Sequence, residues 1–455
     1  GVKETKKAPK RPFFGAAIEQ LMNYDRMHDW LVNYFSKSKT IVVPMPFTTY
    51  TYIADPANVE HVLKTNFNNY PKFNVPFIYG SVAWRWVFNV DGEPWKKQRK
   101  TATLKALKLS TILCQVSFLN HEIDMQELLM RMTLDSICKV GFGVEIGTLA
   151  PNLPENSYAH AFDTANIIVT LRFIDPLRKI KKMLSIGSEV QLEKSIKVID
   201  DFTYSVKQDI LSRFIELGES NATDKSLKDV VLNFAIAGRD TTAPTLSWAI
   251  YMFMTHAHVA DKLYLELKKF EENRANEEHF LASILKSFFY RKLRNLRSKH
   301  ILTLVLLLSK TLSSILKMSF TKDPKGILED DVLPDGTKIK AGGMVTYVPY
   351  SVGRMEYNWG PDAASFVPER WFKDRVLKTE SPFKFTAFQK KPNLSWQDQG
   401  ICLGKDSAYL QMRMGLAILC RFYKFNLVPD HVVKYRMMTI LSMAYGLKLT
   451  IERRS

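Results

Sequence analysis

A chain of 455 residues, 46% hydrophobic and 24% charged, is ordinary for a globular protein and long enough for a sizeable core. Its four scattered cysteines show no Cys-x-x-Cys spacing, which argues against a disulfide framework and a structural zinc site and for a reducing compartment. The net charge of +18 signals, by itself, only non-specific attraction to a polyanion or an acidic membrane surface.

The chain opens at Gly1 with a basic stretch in which Lys3, Lys6, Lys7, Lys10 and Arg11 precede Pro12, read either as a linker or as a solvated terminus. No apolar run reaches the ~20 residues of a membrane-spanning helix; the run 301–308 is far shorter. Between Asp224 and Met254, the residues Val230, Phe234, Leu246, Trp248 and Ile250 predict one long, largely buried helix with Thr223 or Asp224 as N-cap. Within it lies Ala237-Gly238-Arg239-Asp240-Thr241-Thr242. Gly238 is expected to loosen the helix midway and admit a hydroxyl or a water to its hydrogen-bond ladder, and Pro244 is expected to kink it. An acid beside an alcohol in such a setting suits the movement of protons onto bound oxygen. The plain alternative is a buried helix with a satisfied threonine pair.

From His279 to Lys322 the chain carries nine Lys and Arg residues and no Asp or Glu, half of the whole charge excess in one segment. It reads as a basic membrane or partner helix, as a solvated linker, or as translated non-coding sequence. Its abrupt end at Asp323-Pro324-Lys325-Gly326 favours the last. Pro334-Asp335-Gly336 between apolar runs predicts a turn joining short strands, and the tail from Tyr435 to Ile451 is strand-like. Ile401-Cys402-Leu403-Gly404 leads into a predicted helix whose apolar face is Tyr409, Met412, Leu416, Leu419 and Tyr423. A cysteine at a helix start is favoured as thiolate by the helix dipole, so Cys402 is a candidate anionic metal ligand. Cys114, Cys138 and Cys420 read instead as small buried hydrophobes.

With these motifs in place the chain resembles the cytochrome P-450 family of heme-thiolate monooxygenases, most closely the plant branch that hydroxylates long-chain fatty acids near the ω end. The resemblance covers His28 to Val144, Ala159 to Arg274 and Asp323 to Arg453. Phe366-Val367-Pro368-Glu369-Arg370-Trp371 matches the meander element, in which Glu369 and Arg370 hold the fold on the proximal side of the heme. Trp95 and Arg99 match the helix that contacts a heme propionate. The resemblance implies a mainly α fold with small β-sheets, in one domain over residues 28–455 preceded by a linker at 1–27. It implies heme b held by the Cys402 thiolate, use of O2, and electrons from NADPH through a cytochrome reductase. Thr241 would hydrogen-bond bound oxygen, Asp240 would relay protons, and Phe234, Ala235 and Ala237 would line a pocket for a lipophilic substrate. Placement on the cytosolic face of the endoplasmic reticulum membrane follows, with the anchor of relatives missing and no nucleic-acid partner.

The chain also departs from the pattern. Relatives carry Glu-x-x-Arg within the interval 279–322, where this chain has Lys310-Thr311-Leu312-Ser313, so Arg370 is expected to lose its buried partners at a cost of roughly 3–5 kcal/mol. Fourteen positions separate Phe388 from Cys402, twice the family's spacing. The tract 390–399 has no counterpart, and Gly400 stands where an arginine meets a propionate. A shortening at Val206–Asp209 and a poor match over Pro71–Val87 are smaller differences. Two other readings therefore stand beside the monooxygenase: a catalytically silent or misread family member, and a non-enzymatic basic protein that binds a membrane or nucleic acid.

Overall fold

The computed structural model describes residues 17–45, 48–71, 105–106, 108–118, 121–142, 144–150, 153, 155, 157–172, 178–216, 224–272, 323–373, 376–377, 380–385, 405–437 and 441–454. Trp95, Arg99, Cys402 and the segments 279–322 and 390–399 lie outside the described residues, as do Thr223 and most of Pro71–Val87.

The described part is mainly helical with small sheets, as expected. Helices α1 (Ala17–Met22) and α2 (Met27–Phe35) are followed by a hairpin of β1 (Thr40–Met45) and β2 (Thr48–Ile53), in antiparallel register from Thr40 opposite Ile53 to Met45 opposite Thr48. Both strands are rich in β-branched and aromatic residues that suit a half-buried pleated surface. Ile41, Val43 and Tyr52 face Met27, Trp30, Leu31 and Phe35 of α2 in one apolar cluster. Helix α3 (Pro56–Glu60) begins with Asp55 accepting from the Ala57 amide at 2.8 Å and proline at its first position. Then follow α4 (residues 108–118), the short β3 (Ile123–Asp124) and α5 (Met125–Ile137), whose N-cap is Asp124, accepting from the Glu127 amide at 3.2 Å. The same carboxylate takes the Leu447 amide at 3.0 Å. Gly446, at φ +71°, passes so close that a Cβ there would fall 1.8 Å from Asp124 Oδ2, so no other residue fits.

Helices α6 (Ser157–Leu171), α7 (Arg178–Met183) and α8 (Ser188–Glu216) lead to α9 (Asp224–Thr255) and α10 (Ala257–Glu272). Strands β4 (Asp323–Gly326), β5 (Asp331–Val332), β6 (Lys338–Ile339) and β7 (Met344–Tyr347) come next. β2 pairs in parallel with β7 and β7 antiparallel with β4, giving a four-stranded sheet in the order β1-β2-β7-β4. The Pro334–Gly336 turn is where the sequence places it, with Gly336 at φ +84° donating to Leu333 O at 2.8 Å between β5 and β6. Short helices α11 (Pro349–Val352) and α12 (Glu356–Trp359), a one-turn helix at Pro368–Trp371 and the strand pair β8 (Phe372–Lys373) and β9 (Val376–Leu377) complete this region. Helix α13 (Lys405–Phe422) runs directly into β10 (Tyr423–Leu427). The tail forms β11 (Tyr435–Arg436), β12 (Ser442–Met443) and β13 (Lys448–Arg453), with β13 between β10 and β3.

The main core gathers α4, α5, α9, α10 and α13 with the β10–β13 pair. Leu113, Leu129, Leu246, Phe253, Leu263, Met412, Leu416, Leu419 and Ile451 all lie within it. Met412, Leu416 and Leu419 are thus the buried face that their spacing predicts, each worth about 1.5–3 kcal/mol of burial.

The long helix expected from Asp224 to Met254 is present as α9, and it stays α-helical through Gly238 and Pro244. Pro244 cannot donate to the Asp240 carbonyl, but hydroxyls on this stretch reinforce neighbouring carbonyls: Thr241 Oγ1 donates to Ala237 O at 2.7 Å, Thr245 Oγ1 to Thr241 O at 2.7 Å and Ser247 Oγ to Ala243 O at 2.9 Å. A hydroxyl does join the ladder, without breaking the helix. Gly238 serves packing, since a Cβ there would lie 2.5 Å from Ile137 Cγ1 of α5. Arg370 is not orphaned either. Its Nη1 sits 3.0 Å from Asp362 Oδ1 and donates to Trp359 O at 3.2 Å, while Nη2 donates to Asp362 O at 2.7 Å. Its partners are thus Trp359, the last residue of α12, and the half-exposed Asp362 in the turn that follows. Glu369 points to solvent and pairs with Lys262 at 3.5 Å.

Candidate functional site

The chemistry-bearing stretch of α9 presents different groups to different sides. Ala237 and Thr241 are one turn apart and half-buried, whereas Arg239, Asp240 and the residues from Thr242 to Ser247 are buried. The helix thus offers a partly open strip carrying a hydroxyl and holds the acid inside. Phe234 and Ala235 belong to the preceding turns of α9, but their side chains lie outside the described residues.

Asp240 points toward Arg239 and α6. Arg239 Nη1 donates to Asp240 Oδ1 at 2.6 Å and to Asp163 Oδ1 at 3.3 Å, and Nη2 donates to Asp163 Oδ1 at 3.2 Å. The guanidinium is 5.7 Å from the Phe162 ring centre, and Nη2 is 3.4 Å from Met130 Sδ. Tyr158, one turn before Phe162, packs on Phe202 of α8 with ring centres 4.1 Å apart and planes tilted by 30°. Burial works against the charge on Arg239, but Asp240 and Asp163 outweigh it and hold the group firmly protonated. Burial pushes the Asp240 carboxyl up to about 7; Arg239 opposes the rise and Asp163 adds to it. Asp240 Oδ2 is buried without a hydrogen-bond partner among the described residues. One oxygen of this acid is clamped, and the other is open to a proton that a neutral-range carboxyl can take up and give back.

The sequence places Arg239 beside Asp240 but does not point to Asp163. A signal was present, because an arginine inside an apolar helix demands a buried counter-charge. What the sequence did not carry was which carboxylate, 76 residues away, would supply it.

Burial pushes the Cys420 thiol up to about 12 and the Cys138 thiol higher still, so both stay protonated and neither suits a thiolate ligand. Their burial matches the sequence expectation, whereas Cys114 on α4 is only half-buried. Among the described residues no group of three or more His, Cys, Asp or Glu side chains could hold a metal ion. Cys402 stands three positions before the first residue of the 18-residue α13. Cys402, the candidate ligand that the sequence offers, lies outside the described residues.

Comparisons with known proteins show the family. The family model for cytochrome P450 matches residues 6–451. Cytochrome P450 704B1 of Arabidopsis thaliana is 58% identical, over 99% of this chain and 95% of its own. Cytochrome P450 704C1 of Pinus taeda is 39% identical, over 96% and 91%. In fold, the crystal structure of the cytochrome P450DA heme domain superposes with a TM-score of 0.72 at 15% identity, over 99% of this chain and 97% of that one. The chain belongs to the cytochrome P450 family, monooxygenases that incorporate molecular oxygen with heme iron and electrons from a redox partner.

Proposed function

We propose that this chain hydroxylates a long-chain fatty acid near its ω end, inserting one oxygen atom from O2 into a C–H bond, with NADPH-cytochrome reductase as electron donor at the cytosolic face of the endoplasmic reticulum membrane. The observation that carries the monooxygenase reading is the Asp240–Thr241 pair, a buried carboxyl with one oxygen clamped by Arg239 beside a half-buried hydroxyl on α9. Resemblance to the plant fatty-acid branch supports the substrate class. The surface near α7 supports a membrane partner: Ile180, Met183, Leu184 and Ile186 are at least half exposed beside Lys181 and Lys182, an apolar and basic mixture suited to an anionic bilayer. We further propose one domain over residues 28–455, with 279–322 and 390–399 as inserts.

When bound, heme supplies the oxygen activation and C–H oxidation. Cys402 would be its axial ligand, and Trp95 and Arg99 would meet a propionate. The remaining work falls to side chains on α9. Arg239 fixes Asp240 Oδ1, so protons are taken up and released at Oδ2. Thr241 uses its own proton on Ala237 O, which leaves its oxygen free to accept a hydrogen bond from a water. For Thr241 to deliver a proton, its O–H must swing away from that carbonyl, and Asp240 then replaces the proton through the water. Phe234, Ala235 and Ala237 would hold the alkyl chain, while Arg370, tied to Asp362 and Trp359, would brace the proximal side with Glu369.

The test is expression with a reductase, a reduced carbon monoxide spectrum, and product analysis on a series of fatty acids. A thiolate-type Soret band with ω-region hydroxy acids is the expected result. A second reading, a catalytically silent member, is favoured by one observation: Gly400 and the tract 390–399 replace the family's arginine and tight loop before Cys402. Absence of heme would establish it.

A further inference from the structure

Arg239 is shared. It is among the largest fully buried side chains of the described residues, and it reaches two carboxylates on two different helices at once, Asp240 on α9 and Asp163 on α6. Asp240 has only its other oxygen left, while the side chain of Asp163 is 28% exposed and so stands between the buried acid and solvent. We propose that Asp163 is a positioning residue for Asp240: by drawing on the same guanidinium it prevents Arg239 from neutralising Asp240 alone, and so keeps that buried acid able to hold a proton. This rests on the reading of Asp240 as the proton relay and gives that relay a setting control on a second helix.

The electrostatics follow from counting charges. One buried guanidinium neutralises one carboxylate. With Asp163 in place, ionising Asp240 leaves a net negative charge around a buried guanidinium, which disfavours the ionised form. With Asp163 made neutral, Arg239 and Asp240 become a matched pair and the ionised form is favoured. The other titratable groups around the site do not supply this control. Tyr158 on α6 and Cys138, in the turn after α5, are both buried and pushed upward, so both remain neutral near pH 7. From α8, Phe202 approaches through the Tyr158 ring and carries no charge. Met130 of α5 offers only its sulfur to Arg239. Asp163 is therefore the one carboxylate besides Asp240 that the hydrogen bonds of Arg239 reach among the described residues.

The test follows the carboxylic-acid C=O stretch by difference infrared spectroscopy across pH in the full chain, with Asp240→Asn assigning the band. In the wild type the band titrates near neutral pH. Asp163→Asn keeps a hydrogen-bond acceptor but no charge, and its midpoint should fall by about one pH unit or more, a tenfold change in proton affinity. Asp163→Glu should hold the midpoint within about half a unit. An unmoved midpoint in a folded Asp163→Asn protein overturns the proposal and leaves Asp163 a structural ion pair. If Asp163→Asn does not fold, Asp163→Glu carries the test alone, and a midpoint displaced there by more than half a unit is equally fatal. Coupling of electron use to product in Asp240→Asn tests the relay separately. Unchanged coupling overturns the relay, and with it the purpose of the shared arginine, even where the band moves.

Discussion

Replacing Gly238 by alanine sets helix propensity directly against packing. In a helix interior, alanine is favoured over glycine by about 0.8–1 kcal/mol, so on propensity alone the change stabilises α9. The structure predicts the opposite sign. The added Cβ would lie 2.5 Å from Ile137 Cγ1, 2.6 Å from its Cβ and 2.9 Å from Cδ1, and Ile137 is only 2% exposed, so it has little room to retreat. Because one contact is with the Ile137 Cβ itself, a rotamer change does not relieve it and the backbones of α5 and α9 must separate. Overpacking of this kind costs about 1–3 kcal/mol, which at its low end cancels the propensity gain and at its high end leaves Gly238→Ala destabilised by roughly 2 kcal/mol. Thermal unfolding of the full chain gives the sign, and a double-mutant cycle with Ile137→Ala gives the cause. The trimmed isoleucine alone costs about 2–5 kcal/mol by leaving a cavity, but the pair should be less destabilised than the sum, because removing Cγ1 and Cδ1 relieves two of the three close contacts while the one with Cβ remains. A Gly238→Ala protein that unfolds at higher temperature than the parent, or a cycle with no coupling, would refute the close approach of α5 to α9.

Two further outcomes follow. Asp331 Oδ2 accepts from Tyr70 at 2.5 Å, His61 at 2.8 Å and Asn66 at 2.9 Å; burial opposes ionisation, but these bonds prevail and hold the carboxyl well below its usual range. A depressed folded pKa means stability that is fully present above the unfolded value of about 3.9 and is lost as pH falls toward the folded one. Asp331→Asn should therefore be less stable than the parent at pH 7, with a gap that closes below about pH 4; a gap independent of pH would show that ionisation plays no part. Thr241→Ala should keep the fold and substrate binding but divert reducing equivalents to peroxide and water, measured as peroxide formed per NADPH consumed, and unchanged coupling would leave Thr241 only its bond to Ala237 O.

Local pattern carried much of this architecture. Helices α9 and α13, the Pro334–Gly336 turn and the strand-like tail are legible because periodicity and turn chemistry act over a few residues. The errors share a different origin. Gly238 reads as a weak point until α5 is seen against it, since an approach between residues a hundred positions apart leaves no mark on either segment alone. Arg370 reads as orphaned because its family partners are missing, yet one carboxylate and two carbonyls, from Asp362 and Trp359, bond it through a fold of the chain that no short motif announces. The same distance effect hides Asp163 from any reading of the Arg239-Asp240 doublet. Of the candidate site, Asp240 and Thr241 are described in full, Ala237 as part of the open strip, and Cys402, Trp95 and Arg99 rest on their motifs.

The account stands on Cys402 as the sole cysteine able to bind heme iron, and a carbon monoxide difference spectrum of four single variants tests that directly. Cys402→Ser should lose the thiolate-type Soret band entirely, while Cys114→Ser, Cys138→Ser and Cys420→Ser keep it. A thiolate signal that survives in Cys402→Ser, or that disappears in Cys420→Ser with the fold intact, would contradict the assignment.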